Sequence, residues 1–326
     1  MVRIIFKVLA QFLLFYLVKC EDLQIISIHM PNVHPDKANS TLCASIDLGQ
    51  DDTHSILAFL SDVKVNIVDY MALFACDLPK SAEPVWNCGS SVQNLKKSSP
   101  SHSSVCQHTG EAIYTWMGGG SYLSLPDDVA FKVGKGTTRK YLVLQVHYPK
   151  SLGNGITDAS GFKIFHSTYP RANQAGLFIA TSVNGIIQPH SPEHVEIACP
   201  MQENKTIYPM MYQVHTHESG KFVSAYVIKN GKWIELGKRV PQDSQMFHET
   251  KYNGPIEHGD IIAVRCNMEN DREDSLSLEY EEETCSFDLI YYVENDEILD
   301  ENICKSDGPP KYYWENDNNI RIASTM

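Results

Sequence analysis

Two histidines separated by one residue are the part of this sequence best suited to hold a metal ion. They lie in the segment Val214-His215-Thr216-His217. If this segment is a β-strand, both imidazole rings point to the same face, because side chains alternate along a strand with a period of two. Two imidazoles on one face can bind a single metal ion. The alternative is a pair of polar histidines on an exposed strand face, and the spacing alone does not exclude it.

A third histidine, His147, lies in the apolar run Leu144-Gln145-Val146-His147-Tyr148. Taken alone, this setting favours a hydrogen-bonded core or edge histidine over a metal ligand. The sequence contains no HExxH, GxSxG or GxxxxGK[ST] motif, so it offers no common metalloprotease, hydrolase or nucleotide-binding pattern. We interpret the run Gly118-Gly119-Gly120 as a flexible turn rather than as a nucleotide-binding loop.

The elements that must position these histidines are short β-strands. Apolar and β-branched residues alternate in several runs, which are 141–148, 221–228, 233–236, 260–266 and 287–293. The dipeptide Asn230-Gly231 separates two of these runs and predicts a tight hairpin turn. No long stretch keeps a helical apolar period. Many short strands with turn residues between them predict an all-β protein made of β-sandwiches.

The first twenty residues are typical of a secretory signal peptide. Arg3 and Lys7 precede an apolar run at 12–18 that is too short to cross a bilayer comfortably. An uncleaved membrane anchor is the alternative, and no later segment is long and apolar enough to cross a membrane. We therefore expect a protein that is secreted or that resides in the lumen of the secretory pathway. The sequons at Asn39 and Asn204 predict glycosylation sites on an exported surface.

Cysteine usage agrees with export. The chain has 9 cysteines, and cleavage after Cys20 removes one of them. An even set in an exported protein predicts four disulfide bonds, although the order of the cysteines does not determine how they pair. The remaining cysteines form one group within 43–106 and another within 199–304, which predicts two domains with a boundary near residue 170. The resulting division is a signal peptide at 1–20, sandwiches at 21–170 and 171–306, and a polar tail at 307–326.

The chain is acidic, with a formal net charge of −13 at pH 7. Non-specific binding to nucleic acid needs a basic surface, so the charge argues against a nucleic-acid partner. Its simplest physical meaning is solubility.

Several segments, in unbroken order from about residue 25 to about residue 305, resemble the copper- and ascorbate-dependent peptidylglycine α-hydroxylating monooxygenases, and more distantly dopamine β-monooxygenase. They are Met30-Pro31-Asn32-Val33, Met71-Ala72-Leu73-Phe74-Ala75-Cys76, Tyr141–Tyr148, Val214-His215-Thr216-His217, His258-Gly259-Asp260-Ile261-Ile262-Ala263 and Leu289-Ile290-Tyr291-Tyr292. The resemblance implies two jelly-roll-like, disulfide-linked antiparallel β-sandwiches that face each other across a solvent-filled cleft. It also implies the disulfide pairs Cys43–Cys88, Cys76–Cys106, Cys199–Cys304 and Cys266–Cys285.

The same resemblance implies two copper ions per chain, with ascorbate as the reductant. In the family, one domain binds copper through three histidines, and the other binds copper through two histidines and a methionine. His147, His215 and His217 are the retained candidates, whereas Asp69, Tyr70 and Thr284 stand where the other three ligands are expected. Carboxylate, phenolate and hydroxyl groups are hard ligands that do not favour Cu(I).

The family holds the C-terminal carboxylate of its peptide substrate with an arginine, a tyrosine and an asparagine. The matching positions here are Gln213, Asp288 and Ser286. Glutamine cannot supply the charge of a guanidinium group, and an aspartate repels a carboxylate.

These departures leave three hypotheses. The preferred one is an exported homologue in which Cα-hydroxylation of C-terminal glycine is impaired or lost, and which binds an unidentified peptide or protein. The second is an active monooxygenase for glycine-extended peptides with atypical copper ligands. The third is a changed single-metal site in which His215, His217 and Glu283 bind zinc or iron.

Overall fold

The computed structural model describes residues 23–49, 51–64, 66–89, 105–243, 245–278 and 282–314. Throughout these residues the regular elements are β-strands, 21 in number, and no helix is present among them. The expectation of an all-β protein is therefore confirmed. The predicted signal peptide at 1–20 and most of the predicted tail lie outside the described residues.

The strands follow the alternating apolar pattern of the sequence. The N-terminal strands are β1 (Gln24–His29), β2 (Ser40–Asp47), β3 (Thr53–Asp62), β4 (Tyr70–Cys76), β5 (Trp86–Asn87), β6 (Gly110–Trp116), β7 (Tyr122–Ser124), β8 (Val129–Gly134), β9 (Tyr141–Tyr148) and β10 (Gly161–Ser167). The C-terminal strands are β11 (Asn173–Asn184), β12 (Ile186–Ile187), β13 (Ser191–Pro200), β14 (Tyr208–His215), β15 (Gly220–Lys229), β16 (Lys232–Arg239), β17 (His248–Glu249), β18 (Ile261–Asn270), β19 (Leu276–Ser277), β20 (Ser286–Glu294) and β21 (Ile303–Asp307).

Each half of the chain is a β-sandwich with its own apolar interior. In the N-terminal half, a five-stranded sheet in the order β5-β2-β9-β4-β6 packs against the sheet that contains β1, β10, β3 and β8. In the C-terminal half, a four-stranded sheet in the order β13-β18-β15-β16 packs against β11, β20 and β14. Residues such as Phe59 and Phe162 in the first interior, and Val223 and Phe287 in the second, are fully buried. Their inward-facing positions alternate with outward-facing ones, as the strand period requires.

One sheet runs through both sandwiches. Strand β8 of the N-terminal half pairs in parallel with β11 of the C-terminal half, where Asn173 lies beside Val129 and Gln174 beside Ala130. The two halves are thus joined by backbone hydrogen bonds as well as by side chains.

Four disulfide bonds link the cysteines in the pairs that the resemblance implies. They are Cys43–Cys88, Cys76–Cys106, Cys199–Cys304 and Cys266–Cys285. Two pairs lie in each half of the chain. None of them crosses from one sandwich to the other.

The hairpin between β15 and β16 forms as the sequence predicts. Lys229 pairs with Lys232, and the two residues between them have positive φ angles, 50° at Asn230 and 74° at Gly231. Two successive left-handed residues give a type I′ turn, whose twist matches that of the flanking strands. Separately, none of the described residues belongs to a helix long and apolar enough to cross a membrane.

Candidate functional site

His147 lies in the N-terminal sandwich beside Asp69 and Tyr70, which stand at two of the three expected but replaced ligand positions. It is on β9, directly opposite Tyr70 of β4, and Asp69 immediately precedes β4. The Nδ1 atom of His147 is 2.7 Å from Oδ1 of Asp69. An ionised carboxylate only accepts hydrogen bonds, so the imidazole donates from Nδ1 and its lone pair is on Nε2. Asp69 therefore orients His147 through a hydrogen bond.

His215 and His217 lie close together in the C-terminal sandwich, although β14 ends at His215 rather than continuing through His217. Their ring centroids are 5.3 Å apart and the rings are nearly perpendicular. The Nδ1 atom of His215 is 2.7 Å from Oε1 of Gln245, and that of His217 is 3.1 Å from the carbonyl oxygen of Glu282. Both acceptors fix the tautomer that carries its proton on Nδ1 and its lone pair on Nε2. All three retained histidines thus have the orientation in which metal-binding histidines are commonly held.

The two histidine groups are coupled electrostatically across the contact between the sandwiches, through Asp69 and His215. The pKa of His215 is lowered to about 4, mainly by burial and also by neighbouring His217, against the raising effect of the Gln245 hydrogen bond and the Asp69 carboxylate. Asp69 belongs to the N-terminal half, so its charge reaches the ring of His215 in the other half. His215 is therefore neutral at physiological pH.

Glu283 stabilises the backbone around His217. Its side chain is buried, with Oε1 2.5 Å from the amide nitrogen of His217 and 2.8 Å from that of Thr284. Its other oxygen accepts a hydrogen bond from the amide of Ser219 at 2.9 Å. Both carboxylate oxygens are thus engaged with backbone donors. The hypothesis that Glu283 turns inward to complete a two-histidine, one-carboxylate metal site is therefore not supported.

The three positions that correspond to the peptide anchor also come together. Gln213 of β14 lies directly opposite Asp288 of β20, and Ser286 precedes Asp288 by two residues on the same face. All three are buried. The Asp288 carboxylate accepts hydrogen bonds from the hydroxyls of Ser286 at 3.0 Å and of Thr115 at 2.9 Å. Burial raises the pKa of Asp288 to about 6, and the two hydroxyl donors oppose that shift.

Sequence reasoning missed two contributors to this site, Thr115 and Gln245, because neither belongs to a recognisable motif. It also missed the packing role of the glycine run, which it interpreted only as a flexible turn. A β-carbon built on Gly119 would lie 3.0 Å from the backbone of Gln245 and Met246, so this turn packs tightly against the other half of the chain. The glycine run itself was the signal, since glycine also marks places where two backbones approach closely.

The donors present do not fit a pair of copper centres. Among the residues that the structure describes, no three His, Cys, Asp or Glu side chains are grouped so that they could hold a metal ion. Thr284 offers a hydroxyl where a soft donor is expected, and Asp69 offers a hard carboxylate that already bonds His147.

Fold and site together define a class of protein: two joined β-sandwiches with a histidine group on each side of their contact. Comparison with known proteins gives the family. The model described as "Copper type II ascorbate-dependent monooxygenase, N-terminal domain" matches residues 26–154, and that of the C-terminal domain matches residues 173–317. The chain belongs to the copper type II ascorbate-dependent monooxygenase family.

Curated relatives point the same way. The chain is 29% identical over 294 residues to peptidyl-glycine alpha-amidating monooxygenase A of Xenopus laevis, an alignment covering 88% of this chain and 30% of that protein. It is 29% identical to the Rattus norvegicus enzyme, with 88% and 29% covered, and 23% identical to Rattus norvegicus dopamine beta-hydroxylase, with 76% and 42% covered. The chain thus spans about a third of the length of the amidating relatives. Among solved structures, that of Sulfolobus turreted icosahedral virus aligns with a TM-score of 0.32 at 10% identity, covering 83% of this chain and 91% of that one.

Proposed function

We propose that this protein is an exported binding protein on the copper monooxygenase fold that has lost the hydroxylation of C-terminal glycine. Its relatives are named as peptidyl-glycine alpha-amidating monooxygenases, so a peptide, or a protein that handles peptides, is the expected partner. Export is supported by the disulfide bonds, which persist in oxidising compartments. The asparagines of both sequons, Asn39 and Asn204, are exposed and accessible to glycosylation.

The observation that carries the proposal is the internal engagement of the replaced residues. Asp69 bonds His147, and Asp288 bonds Thr115 and Ser286. A carboxylate substrate group placed beside Asp288 would meet a like charge in a buried setting, where repulsion is strong. Asp69 and Asp288 are therefore each engaged by side chains of this protein.

A second candidate, an active monooxygenase with atypical ligands, is favoured by one observation. His147, His215 and His217 are each held with the proton on Nδ1 by an oxygen acceptor. This is the orientation that a metal-binding imidazole needs. Copper bound there would supply one-electron redox chemistry, with ascorbate as the reductant.

Metal analysis and turnover separate the candidates. The full chain, secreted from a eukaryotic host, would be exposed to copper with ascorbate, dialysed, and analysed for metal content by mass spectrometry. It would then be incubated with an N-acetylated, glycine-extended peptide and ascorbate. We expect no tightly held copper pair and no hydroxyglycine product.

Two coppers per chain with ascorbate-dependent product would refute the proposal and establish the second candidate. The variant His215→Ala tests whether any bound metal uses the histidine site. Exposed His194 gives the matched control His194→Ala. One zinc or iron that is lost with His215→Ala, but not with His194→Ala, would establish a changed single-metal site instead.

A further inference from the structure

Strand β6 of the N-terminal sandwich carries two polar side chains that reach the C-terminal sandwich. Glu111 and Thr115 lie on either side of an irregularity in the pairing of β6 with β4. The Thr115 hydroxyl donates to Oδ2 of Asp288 at 2.9 Å, and the side-chain amide of Asn302 donates to Oε2 of Glu111 at 3.4 Å. One buried and one partly buried hydrogen bond therefore connect the two sandwiches at two places along β6.

Close apolar packing accompanies these hydrogen bonds. The Phe247 ring stacks on Tyr114, the neighbour of Thr115, with ring centroids 6.0 Å apart. Gly120 approaches Met246 so closely that a β-carbon at that glycine would lie 2.9 Å from the Met246 β-carbon. The segment 245–247 thus packs against the turn at 118–120, beside Thr115.

Little space remains between Thr115 and Gln213, one of the three anchor positions. The cavity between Thr115, Gln213, Met246 and Phe247 has a volume of about 10 Å³. A single water molecule needs roughly 10–15 Å³, so no glycine carboxylate fits there. Gln213 lines this cavity, and its buried Nε2 atom has no hydrogen-bond partner among the described residues.

We propose that Thr115 and Asp288 form an interdomain lock that closes the cleft at the position where the family anchors a peptide carboxylate. The proposal deepens the proposed function and rests on the same alignment of Gln213, Ser286 and Asp288. The Asp288 side chain, which cannot bind a carboxylate, instead fastens one sandwich to the other. A ligand of this protein must then bind outside the locked end of the cleft.

Hydrogen–deuterium exchange of the full chain at neutral pH tests the lock. Thr115→Val keeps the shape of the side chain and removes the donated hydrogen bond. We expect exchange in β6 and in 245–247 to accelerate about tenfold or more, because a hydrogen bond to a charged, buried group shifts the opening equilibrium by that factor. Thr109→Val, at an exposed position just before β6, is the matched control and should leave exchange unchanged. Unchanged exchange in Thr115→Val would overturn the lock.

A second variant keeps the test usable if Thr115→Val does not fold. Gly119→Ala places a methyl group 3.0 Å from the Gln245 backbone and should also accelerate exchange in β6. Gly153→Ala, whose nearest contact would be an ordinary 3.6 Å, is its control. Exchange that stays slow in Gly119→Ala would likewise count against the lock.

Peptide binding gives the final arm of the test. Wild-type protein should show no saturable binding of an N-acetylated, glycine-extended peptide that depends on its free carboxylate. Binding that is abolished by amidating the peptide, without turnover, would overturn the lock and leave the proposed loss of catalysis standing. Turnover together with the expected exchange pattern would overturn the proposed function and not the domain contact.

Discussion

Asp288 shows how burial changes the behaviour of one residue. Its carboxyl group is 2% exposed, and its pKa rises from 3.8 to about 6, mainly because burial disfavours the charged form. The folded state therefore binds a proton more readily than the unfolded state. The contribution of Asp288 to the free energy of unfolding is fully present below pH 3.8 and is lost as the pH rises through 6. His166 and His215 act in the opposite sense, since burial lowers the pKa of each to about 4 and their contribution is lost as the pH falls.

Comparing the variant Asp288→Asn with the wild type isolates the Asp288 contribution, because the histidine contributions cancel in the difference. The free energy of unfolding of the variant minus that of the wild type should rise between pH 4 and pH 6.5, by about 3 kcal/mol for a shift of roughly two pKa units. Urea denaturation at a series of pH values measures it. A flat difference curve would contradict the assigned burial of the charge.

Glu283 represents a second kind of buried acid, one whose charge is compensated by backbone donors. The variant Glu283→Gln turns an acceptor into an amide donor that faces backbone N–H groups. We expect a loss of roughly 2 kcal/mol in the free energy of unfolding, because buried donors lose their partners. Chemical denaturation measures it, and exposed Glu218 provides the control variant Glu218→Gln, which should be nearly neutral. Equal stability of both variants would mean that Glu283 does not hold the loop around His217.

At the scale of elements, the strand ends decide what the site contains. β14 stops at His215, and the chain then turns so that the His217 amide meets Glu283. The pairing of His215 with Ser286 places the histidines beside the start of β20, where Cys285 is held to Cys266. Strand pairing and a disulfide bond thus fix this corner independently of any metal ion.

The hairpin between β15 and β16 gives a test at this scale. Gly231 has φ of 74° and nothing within 4 Å of a built β-carbon, so Gly231→Ala would be strained only through its backbone. We expect a loss of about 1 kcal/mol in the free energy of unfolding, the usual penalty for a left-handed residue with a β-carbon. Gly153→Ala, which has no positive φ, should have a much smaller effect. Exchange rates in β15 and β16 would show whether the loss is local.

At the scale of the whole molecule, disulfide bonds and the shared sheet hold distant segments together. Cys199–Cys304 joins residues separated by 105 positions, and Cys266–Cys285 joins residues separated by 19. In the chain-entropy description, a longer closed loop restricts the unfolded chain more. The two bonds should therefore contribute unequally to stability.

Paired Cys→Ala variants test this difference. Removing Cys199–Cys304 should cost about 1.5 kcal/mol more than removing Cys266–Cys285, as the logarithm of loop length requires. Urea denaturation of the two double variants gives the comparison. A larger loss for the shorter loop would mean that local packing, rather than the entropy of the unfolded chain, dominates.

Much of the architecture could be predicted from the sequence because it depends on local pattern. The alternation in β9 and β15, the Asn230-Gly231 turn and the even cysteine set each report a physical requirement that acts within a few residues. The family resemblance predicted the disulfide pairs, and it predicted that Asp69 and Tyr70 lie near His147. The structure differs from the prediction at the end of β14 and at Gly119. In both places the cause is contacts between segments that are distant in the sequence.

The sequence by itself determined that the chain is a two-domain β protein and that histidine stands at three of the six expected copper-ligand positions. It also determined that the other three ligand positions carry hard donors and that one anchor position carries an aspartate. Only the tertiary structure decided what those groups do. Asp69, Glu283 and Asp288 could have been metal ligands, ligand contacts or solvent-exposed acids by residue type alone. Folding buries Glu283 and Asp288 and places backbone amides, hydroxyls and an imidazole beside the three carboxylates. A buried charge must be paired by whatever donors the fold brings near it, and those donors come from residues far away in the sequence.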